Sequence, residues 1–268
     1  MKFAPARWVA LFAAIWLALP ATLCAAEGED STPADVASWT PGVGTDVADC
    51  DCDCHDSCCD RYLYISAIAG VSFMNGQSGG FNTLGPHNNT GSDNDQLFLA
   101  GGAIGVAIPL DFGTLRIEFE GRGRNNFRGV TDSFEPPIPT FFYDVEMSDG
   151  WSTMVNAWFD VPVRDKFAVY GGGGIGGAGY HLSVNDTISS GSGSVSEFAW
   201  QAGAGVIYRV NDRIELDFGY RYSDLGTADI GLNEIIGGAD AGNYTLAVTT
   251  HDLLLQLRIN EPLSLLRR

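Results

Sequence analysis

The chain has 268 residues, a formal net charge of −18, 11% aromatic residues and only 18% charged residues. Such an acidic balance excludes a nucleic-acid partner, because phosphate binding requires clustered Lys and Arg. A hydrophobic content of 45% excludes a disordered main body, and the length suits one sizeable domain with additional segments.

The N-terminus has the pattern of a secretory signal peptide. Lys2 and Arg7 give a positive start, and the apolar run 8–19 is too short to span a bilayer. We predict cleavage after Ala26. Lipidation of Cys24 is an alternative, which the leucine before it disfavours. No later run approaches the ~20 apolar residues of a spanning helix, so a membrane role has to come from strands.

Residues 27–60 form a segment of different character. They contain ten Asp or Glu, no Lys or Arg and no periodicity, which predicts a solvated, disordered leader. The leader ends in thiols and an imidazole that could bind zinc or copper(I), although the spacing is not that of a zinc finger. An oxidising, exported environment favours disulfides of undetermined pairing instead, and an odd number of cysteines leaves one thiol over. The residues concerned are Cys50, Cys52, Cys54, His55, Cys58 and Cys59.

From residue 61 onward, strand-like runs alternate with turns and loops. The connections between the runs alternate in length: long, short, long, short, long, short, long. The second long connection contains Pro136, Pro137 and Pro139, and we expect these prolines to prevent ladder pairing there. The eight predicted strands span residues 62–73, 96–108, 114–124, 151–161, 166–182, 197–210, 213–224 and 251–260.

The fifth predicted strand contains the glycine-rich string 171–177. A phosphate-binding loop would need a following Lys and a helix, and neither is present. We therefore interpret these glycines as positions that allow strong curvature or make room for a neighbouring side chain in a small barrel.

The seventh predicted strand, residues 213–224, alternates strictly between apolar and polar side chains. Successive side chains of a strand point to opposite faces, so one face is aliphatic and aromatic while the other carries four charges of both signs. This pattern favours a barrel with lipid outside and a salt-bridged interior over a soluble sheet. An even number of antiparallel hairpins lets the sheet close, and eight strands enclose an interior that side chains fill.

The predicted fold is therefore an all-β, eight-stranded antiparallel up-and-down transmembrane β-barrel with a disordered N-terminal leader. Its predicted parts are a signal peptide (1–26), the acidic leader (27–60), the barrel (61–262) and a C-terminal tail (263–268). Opposite charges in the lumen are expected to pair, because an unpaired buried charge costs several kcal/mol. The predicted lumen charge network comprises Arg116, Glu118, Glu120, Arg122, Arg124, Arg209, Glu215, Asp217, Arg221 and Arg258, with Asn156, Gln201 and Gln256 beside them.

Aromatic residues concentrate near the ends of the predicted strands. Membrane barrels carry such residues as girdles at the two interfaces, although ordinary strand packing also favours aromatics. We predict girdle positions for the four that lie on the predicted lipid face close to a strand end, which are Trp151, Phe198, Tyr208 and Tyr222.

The segment ELDFGYRYSDLG (215–226), followed by a long loop and HDLLLQLRI (251–259), resembles the opacity-type and OmpA-like outer-membrane β-barrel family. The likeness covers about residues 62–259 and is specific for the last two strands. It implies a location in the cell outer membrane, with the lipid bilayer and lipopolysaccharide as partners. The long surface loops of that family either bind a surface ligand in adhesion or have no known ligand. Barrels of that family usually end on an aromatic residue, whereas this chain continues as EPLSLLRR.

The patterns leave several functions open. The first is a structural or surface-interaction barrel without a cofactor, whose lumen is plugged; a narrow gated ion path or porin-like pore is the alternative on the same fold. An enzyme acting on outer-membrane lipid would need a catalytic set, for which Ser183, His181 and His251 are the candidates. A soluble barrel with an apolar ligand inside would require the two faces to be exchanged.

Overall fold

The computed structural model describes residues 61–82, 85–135 and 138–261, and nine β-strands account for nearly all of them. Among these residues, none forms a helix long and apolar enough to cross a membrane. The strands are β1 (Tyr62–Asn82), β2 (Gly85–Leu110), β3 (Gly113–Arg124), β4 (Phe127–Glu135), β5 (Ile138–Arg164), β6 (Phe167–Asn185), β7 (Ser189–Arg209), β8 (Ile214–Glu234) and β9 (Asp240–Asn260).

The strands form a closed antiparallel ring. Its order is β1-β9-β8-β7-β6-β5-β3-β2, and β1 pairs with both β9 and β2, which closes the sheet. β4 follows β3 after the two-residue break at 125–126 and continues its pairing with β5. The ring therefore has eight positions, and the predicted eight-stranded antiparallel barrel is confirmed.

In the half of the barrel that contains the short turns, the two faces of the sheet differ in the way that the alternation predicts. Large apolar side chains such as Ile104, Ile175, Phe218 and Leu253 point outward and are exposed. Polar and charged side chains point inward and are buried. On β5, the outward aromatics Trp151 and Phe159 are eight residues apart, which at ~3.4 Å per residue and ~40° tilt spans about 20 Å.

The long loops predicted at 74–95, 125–150, 183–196 and 223–250 are wrong, because strands continue through most of these residues. β8 runs on to Glu234 and β9 begins at Asp240, so that pairing extends far beyond the aromatic positions. We call the continued part, residues 74–97, 125–150, 180–197 and 223–250, the hairpin extension.

The extension is stabilised by an apolar core inside the ring. Its inward positions are occupied by Leu, Val, Ile, Met and Tyr, whereas outward neighbours such as Thr245 and Thr249 are small or polar. Outside the bilayer the external solvent is water, so burial of apolar area drives side chains inward rather than outward. The buried cluster includes Met74, Leu97, Phe127, Tyr143, Val145, Met147, Tyr180, Leu182, Val184, Leu225, Ile230, Leu232, Tyr244, Leu246 and Val248.

One seam of the extension lacks ladder pairing. Ser190 pairs with Asn233, and the next pair along β7 and β8 is Trp200 with Asp224. Between these two pairs, β7 residues 191–199 and β8 residues 225–232 lie opposite each other without ladder pairing. The structure describes all of these residues. In the same segments β7 stays paired to β6, and β8 is paired to β9 from Thr227 onward.

Amide hydrogen exchange should identify this seam. We expect the fastest amides of 191–199 and 225–232 to exchange roughly tenfold or more faster than those of 243–247. The latter belong to β9 at the same height and are paired on both sides. Mass spectrometry of peptides from the folded barrel gives the rates, and equal protection in the two sets would contradict the seam.

Three predicted segments lie outside the described residues. They are the signal peptide, the acidic leader with Cys50, Cys52, Cys54, His55, Cys58 and Cys59, and the tail 263–268. Among the residues that are described, no group of three or more His, Cys, Asp or Glu side chains could hold a metal ion.

Candidate functional site: the charged lumen and the hairpin extension

The lumen of the short-turn half is filled by inward side chains of β3, β5, β8 and β9. On β3, every second residue from Arg116 to Arg124 is charged, and all five of these side chains are buried. Because β8 and β9 present Glu215, Asp217, Arg221 and Arg258 from across the ring, opposite charges meet in the interior. We call this set, with Asp160 and Asp252, the lumen network.

The layer of the lumen network nearest the short turns surrounds two arginines. Arg116 donates through Nε to both carboxylate oxygens of Asp160, at 2.9 and 2.7 Å. Arg258 donates to Glu215 at 2.7 Å and to Asp217 at 3.2 Å. The guanidinium of Arg258 also lies 5.2 Å from the centre of the Tyr64 ring. Two cations thereby compensate three carboxylates in this layer.

The middle layer contains the carboxylates that receive the most donors. Glu118 accepts hydrogen bonds from Tyr64 Oη and Trp158 Nε1, both at 2.8 Å. Glu120 is paired with Arg221 and, at 2.7 Å, with Arg122. Arg221 in turn stacks 4.6 Å from the centre of the Trp158 ring. Each buried charge therefore has both a counter-ion and a neutral neighbour.

The layer nearest the extension is centred on Asp252. This carboxylate accepts hydrogen bonds from Arg122 at 2.7 Å, Arg124 at 3.2 Å and Ser72 at 2.5 Å. Arg124 also donates to Ser152 at 3.1 Å. Asp252 therefore pairs with two cations; Arg122 has Glu120 as a second counter-ion, whereas the ion pair of buried Arg124 is with Asp252.

Five buried arginines and six buried carboxylates make the lumen network close to neutral. Arg209 is a sixth arginine, so that arginines and carboxylates become equal in number. It lies at the rim of the lumen beside the short turns, with its side chain 54% exposed, and contacts Glu215 at 3.3 Å. The structure thus brings nine of the ten predicted network residues into the buried interior and leaves Arg209 at its edge.

The opposite wall of the lumen is made of small residues. Inward positions of β6 and β7 include Gly172, Gly174 and Gly203, and a Cβ at any of them would collide with a neighbouring strand or side chain. At Gly174 the collision would be with the amide of Asn156, which donates to Glu118 and Glu120. The glycines of the string 171–177 on this face therefore make room for the large polar side chains across the lumen.

Several interior residues are absent from the predicted network. Asp160 and Asp252 share the inward faces of their strands with residues that were predicted, so the alternation was sufficient to include them. Trp158 lies between Asn156 and Asp160 on the same face, and its indole donates to Glu118. Period two places Trp158 on the inward face, so the alternation was sufficient to include this residue as well.

The four predicted girdle residues all lie on the outward face. Trp151 and Phe198 are exposed, and Tyr208 and Tyr222 are partly covered by neighbouring rings. Tyr222 lies 5.5 Å from Trp200, and Tyr208 lies 5.1 Å from Phe167. Tyr208 is near the short turns, while the other three lie where the hairpin extension begins.

The hairpin extension has a strongly acidic sequence. Residues 74–97, 125–150, 180–197 and 223–250 contain thirteen Asp or Glu and a single Lys or Arg. That arginine, Arg128, is exposed and pairs with Glu146 at 2.9 Å. The extension is therefore negatively charged overall, and its single basic side chain of Lys or Arg type is paired with a carboxylate.

The candidate catalytic residues do not come together. His181 Nδ1 lies 3.2 Å from Ser194 Oγ, on the neighbouring strand, rather than bonding Ser183. His251 is on β9, which β7 and β8 separate from β6, and its Nδ1 contacts Tyr220 Oη at 2.7 Å. The enzymatic alternative named these residues as candidates, and the structure places His181 and His251 on strands that are not neighbours.

Comparison with known proteins agrees with this architecture. The sequence model of the family described as outer membrane protein beta-barrel domain matches residues 62–251. Outer membrane protein PagN of Salmonella typhimurium is 31% identical over 156 residues, which are 50% of this chain and 61% of PagN. The chain therefore matches less than two thirds of the length of that relative.

Two solved structures are similar over most of the chain. Neisserial surface protein A has 15% identity and a TM-score of 0.35, and the match covers 74% of this chain and 96% of that structure. Ail, the attachment invasion locus protein of Yersinia pestis, has 15% identity and a TM-score of 0.36, with 73% and 97% covered.

Proposed function

Because the chain belongs to the outer membrane protein beta-barrel family and is a protein of the cell outer membrane, we propose that it acts as a surface-interaction barrel. In this role the lipid-facing half anchors the protein in the bilayer, beside lipopolysaccharide. The hairpin extension then presents its outward side chains to other surfaces.

The apolar core of the extension is the observation that carries this proposal. An extension of about ten residues per strand reaches roughly 25 Å beyond the aromatic positions at ~3.4 Å per residue and ~40° tilt. A transport barrel has no need to fill such a volume with packed Leu, Val, Ile and Tyr side chains. A binding platform does, because a preorganised surface loses less conformational entropy when a partner binds.

The lumen network supports a closed barrel within the same proposal. Its charged groups are paired from β3 to β9 and from β9 to β8, and an added side chain at Gly174 would collide with Asn156. An ion would have to break several buried pairs to pass, each of which is costly to separate. The proposed role therefore includes no wide pore, and it includes no catalysis, since His181 and His251 stand on separate strands.

Adhesion measurements test the proposed role. A non-adherent bacterial strain that displays the folded barrel should bind at least one of several surfaces (animal cells, other bacteria, protein-coated slides) several-fold more than the strain with an empty vector. Proteolysis of the extension on intact cells should abolish the additional binding, while the heat-modifiable band of the barrel remains on a gel. Equal binding by the displaying and empty strains on every surface would refute the role.

Planar-bilayer recordings test the closed lumen. We expect the purified barrel to give no large, stable openings, because the lumen network occupies the interior from the short turns to the extension. Large openings in the wild type that disappear in an Arg122→Leu variant with unchanged stability would instead establish a conducting path.

A further inference from the structure

The far end of the hairpin extension carries three isoleucines in contact with water. Ile188 ends the β6–β7 hairpin, and Ile235 and Ile236 end the β8–β9 hairpin; they are 56%, 53% and 89% exposed. The amide of Ile235 donates to the carbonyl of Ile188 at 2.8 Å, so the two tips are held side by side. We call these three residues the tip patch.

The turns that carry the tip patch do not need isoleucine. In the β8–β9 turn, Gly237 and Gly238 take the positive φ values of 103° and 68°, and Gly238 N bonds Glu234 O at 3.1 Å. In the β6–β7 turn, Asp186 caps the amides of Ile188 and Ser189. Turns usually place Asn, Asp, Gly or Ser at such exposed positions. More than half of each isoleucine nevertheless remains exposed to water, as expected of an interaction site.

Charge restricts what can bind the tip patch. Asp186, Glu234 and Asp240 surround it, and no Lys or Arg occurs in residues 180–197 or 223–250. These negative charges would repel sulfated glycans and anionic lipid surfaces, whereas they would attract a partner with Lys or Arg side chains and steer it toward the tip patch.

We propose that the tip patch and its surrounding carboxylates, Asp186, Glu234 and Asp240, bind a cationic amphipathic polypeptide segment, which inserts apolar side chains between the isoleucines and pairs its basic side chains with the acids. This inference rests on the proposed surface-interaction role and names the chemistry of the partner. Apolar anchors in the centre and charged pairs at the rim are the usual arrangement of protein interfaces.

Binding of a synthetic peptide tests the inference. The probe is a fluorescently labelled helix with one lysine face and one leucine face, added to the barrel in nanodiscs of zwitterionic lipid, with empty nanodiscs as the baseline. We expect saturable binding that weakens with added salt. The double variant Ile235→Ser/Ile236→Ser should weaken it roughly tenfold or more. Glu234→Gln/Asp240→Asn should weaken it several-fold and flatten the salt dependence.

The matched control is Val163→Ser, which removes another exposed apolar side chain, 60% exposed in the wild type, at the short turn between β5 and β6 and thus at the opposite end of the barrel. Its binding should equal that of the wild type, and heat-modifiability should show that all variants fold. An equal loss in Val163→Ser, binding to the barrel no stronger than binding to empty nanodiscs, or preference for anionic vesicles or heparin over the peptide would each overturn the inference.

The adhesion assay separates this inference from the role it rests on. If cells with the Ile235→Ser/Ile236→Ser barrel adhere as well as cells with the wild type, the surface role stands and the tip patch is not its site. If wild-type cells do not adhere at all, the surface role itself fails.

Discussion

Replacing Asp252 with Asn should lower the free energy of unfolding by about 3–5 kcal/mol, the range found when one partner of a buried ion pair is removed. The substitution keeps the shape of the side chain and removes only its charge. Arg122 and Arg124, which Asp252 serves at 2.7 and 3.2 Å, would remain buried with Glu120 as the nearest remaining counter-ion. Urea unfolding of the barrel in lipid vesicles measures the change.

Arg128→Gln is the control for Asp252→Asn. Arg128 and Glu146 are also 2.9 Å apart, but their side chains are 78% and 43% exposed, so water solvates both when the pair is broken. We expect a change of about 1 kcal/mol or less. Combining Asp252→Asn with Arg124→Gln should return part of the lost stability, because it removes the buried cation whose ion pair is with Asp252, whereas Arg122 keeps Glu120. Similar costs for the buried and exposed substitutions would contradict a buried, mutually dependent network.

The alternation in the sequence was sufficient to predict the lipid-facing half of the barrel but misled us about the extension. On β9, Tyr244, Leu246 and Val248 share the inward face with Asp252 and Arg258, although their chemistry is opposite. A period of two marks the faces of a strand and not which face meets water. Because the outer solvent changes from lipid to water along one strand, the apolar face changes sides near residue 250, and the prediction ended the strand there.

The members of the lumen network could be predicted, whereas their partners could not. Inward positions follow from period two, which puts Arg122 and Glu215 on the polar face, and the structure buries both. The pairing of Arg122 with Asp252 joins β3 to β9 across the lumen, 130 residues apart in sequence. Such a contact depends on strand order, tilt and stagger together, and no local pattern contains these.

Substitution of an inward glycine of β6 should also lower the stability of the barrel strongly. We expect Gly174→Ala to destabilise it by roughly 1–3 kcal/mol, as overpacking does in a filled interior. A methyl group at this inward position would overlap the amide oxygen of Asn156 and lie 2.6 Å from the carbonyl of Val155. Moving Asn156 would in turn disturb the hydrogen bond of 2.6 Å that its Oδ1 accepts from Gln201. Urea unfolding in vesicles measures the loss, and a lower temperature of the heat-modifiable transition should accompany it.

Gly171→Ala is the control for Gly174→Ala. It separates the effect of a collision with a neighbouring side chain from the effect of replacing any glycine in a strand. Gly171 lies three residues before Gly174 on the same strand but faces outward, where the nearest atom to an added methyl group is 3.8 Å away. Since alanine restricts the unfolded chain more than glycine, we expect this variant to be unchanged or more stable by about 0.4–1 kcal/mol. If Gly171→Ala lost as much stability as Gly174→Ala, the glycines would serve backbone curvature, and the lumen would not be packed against them.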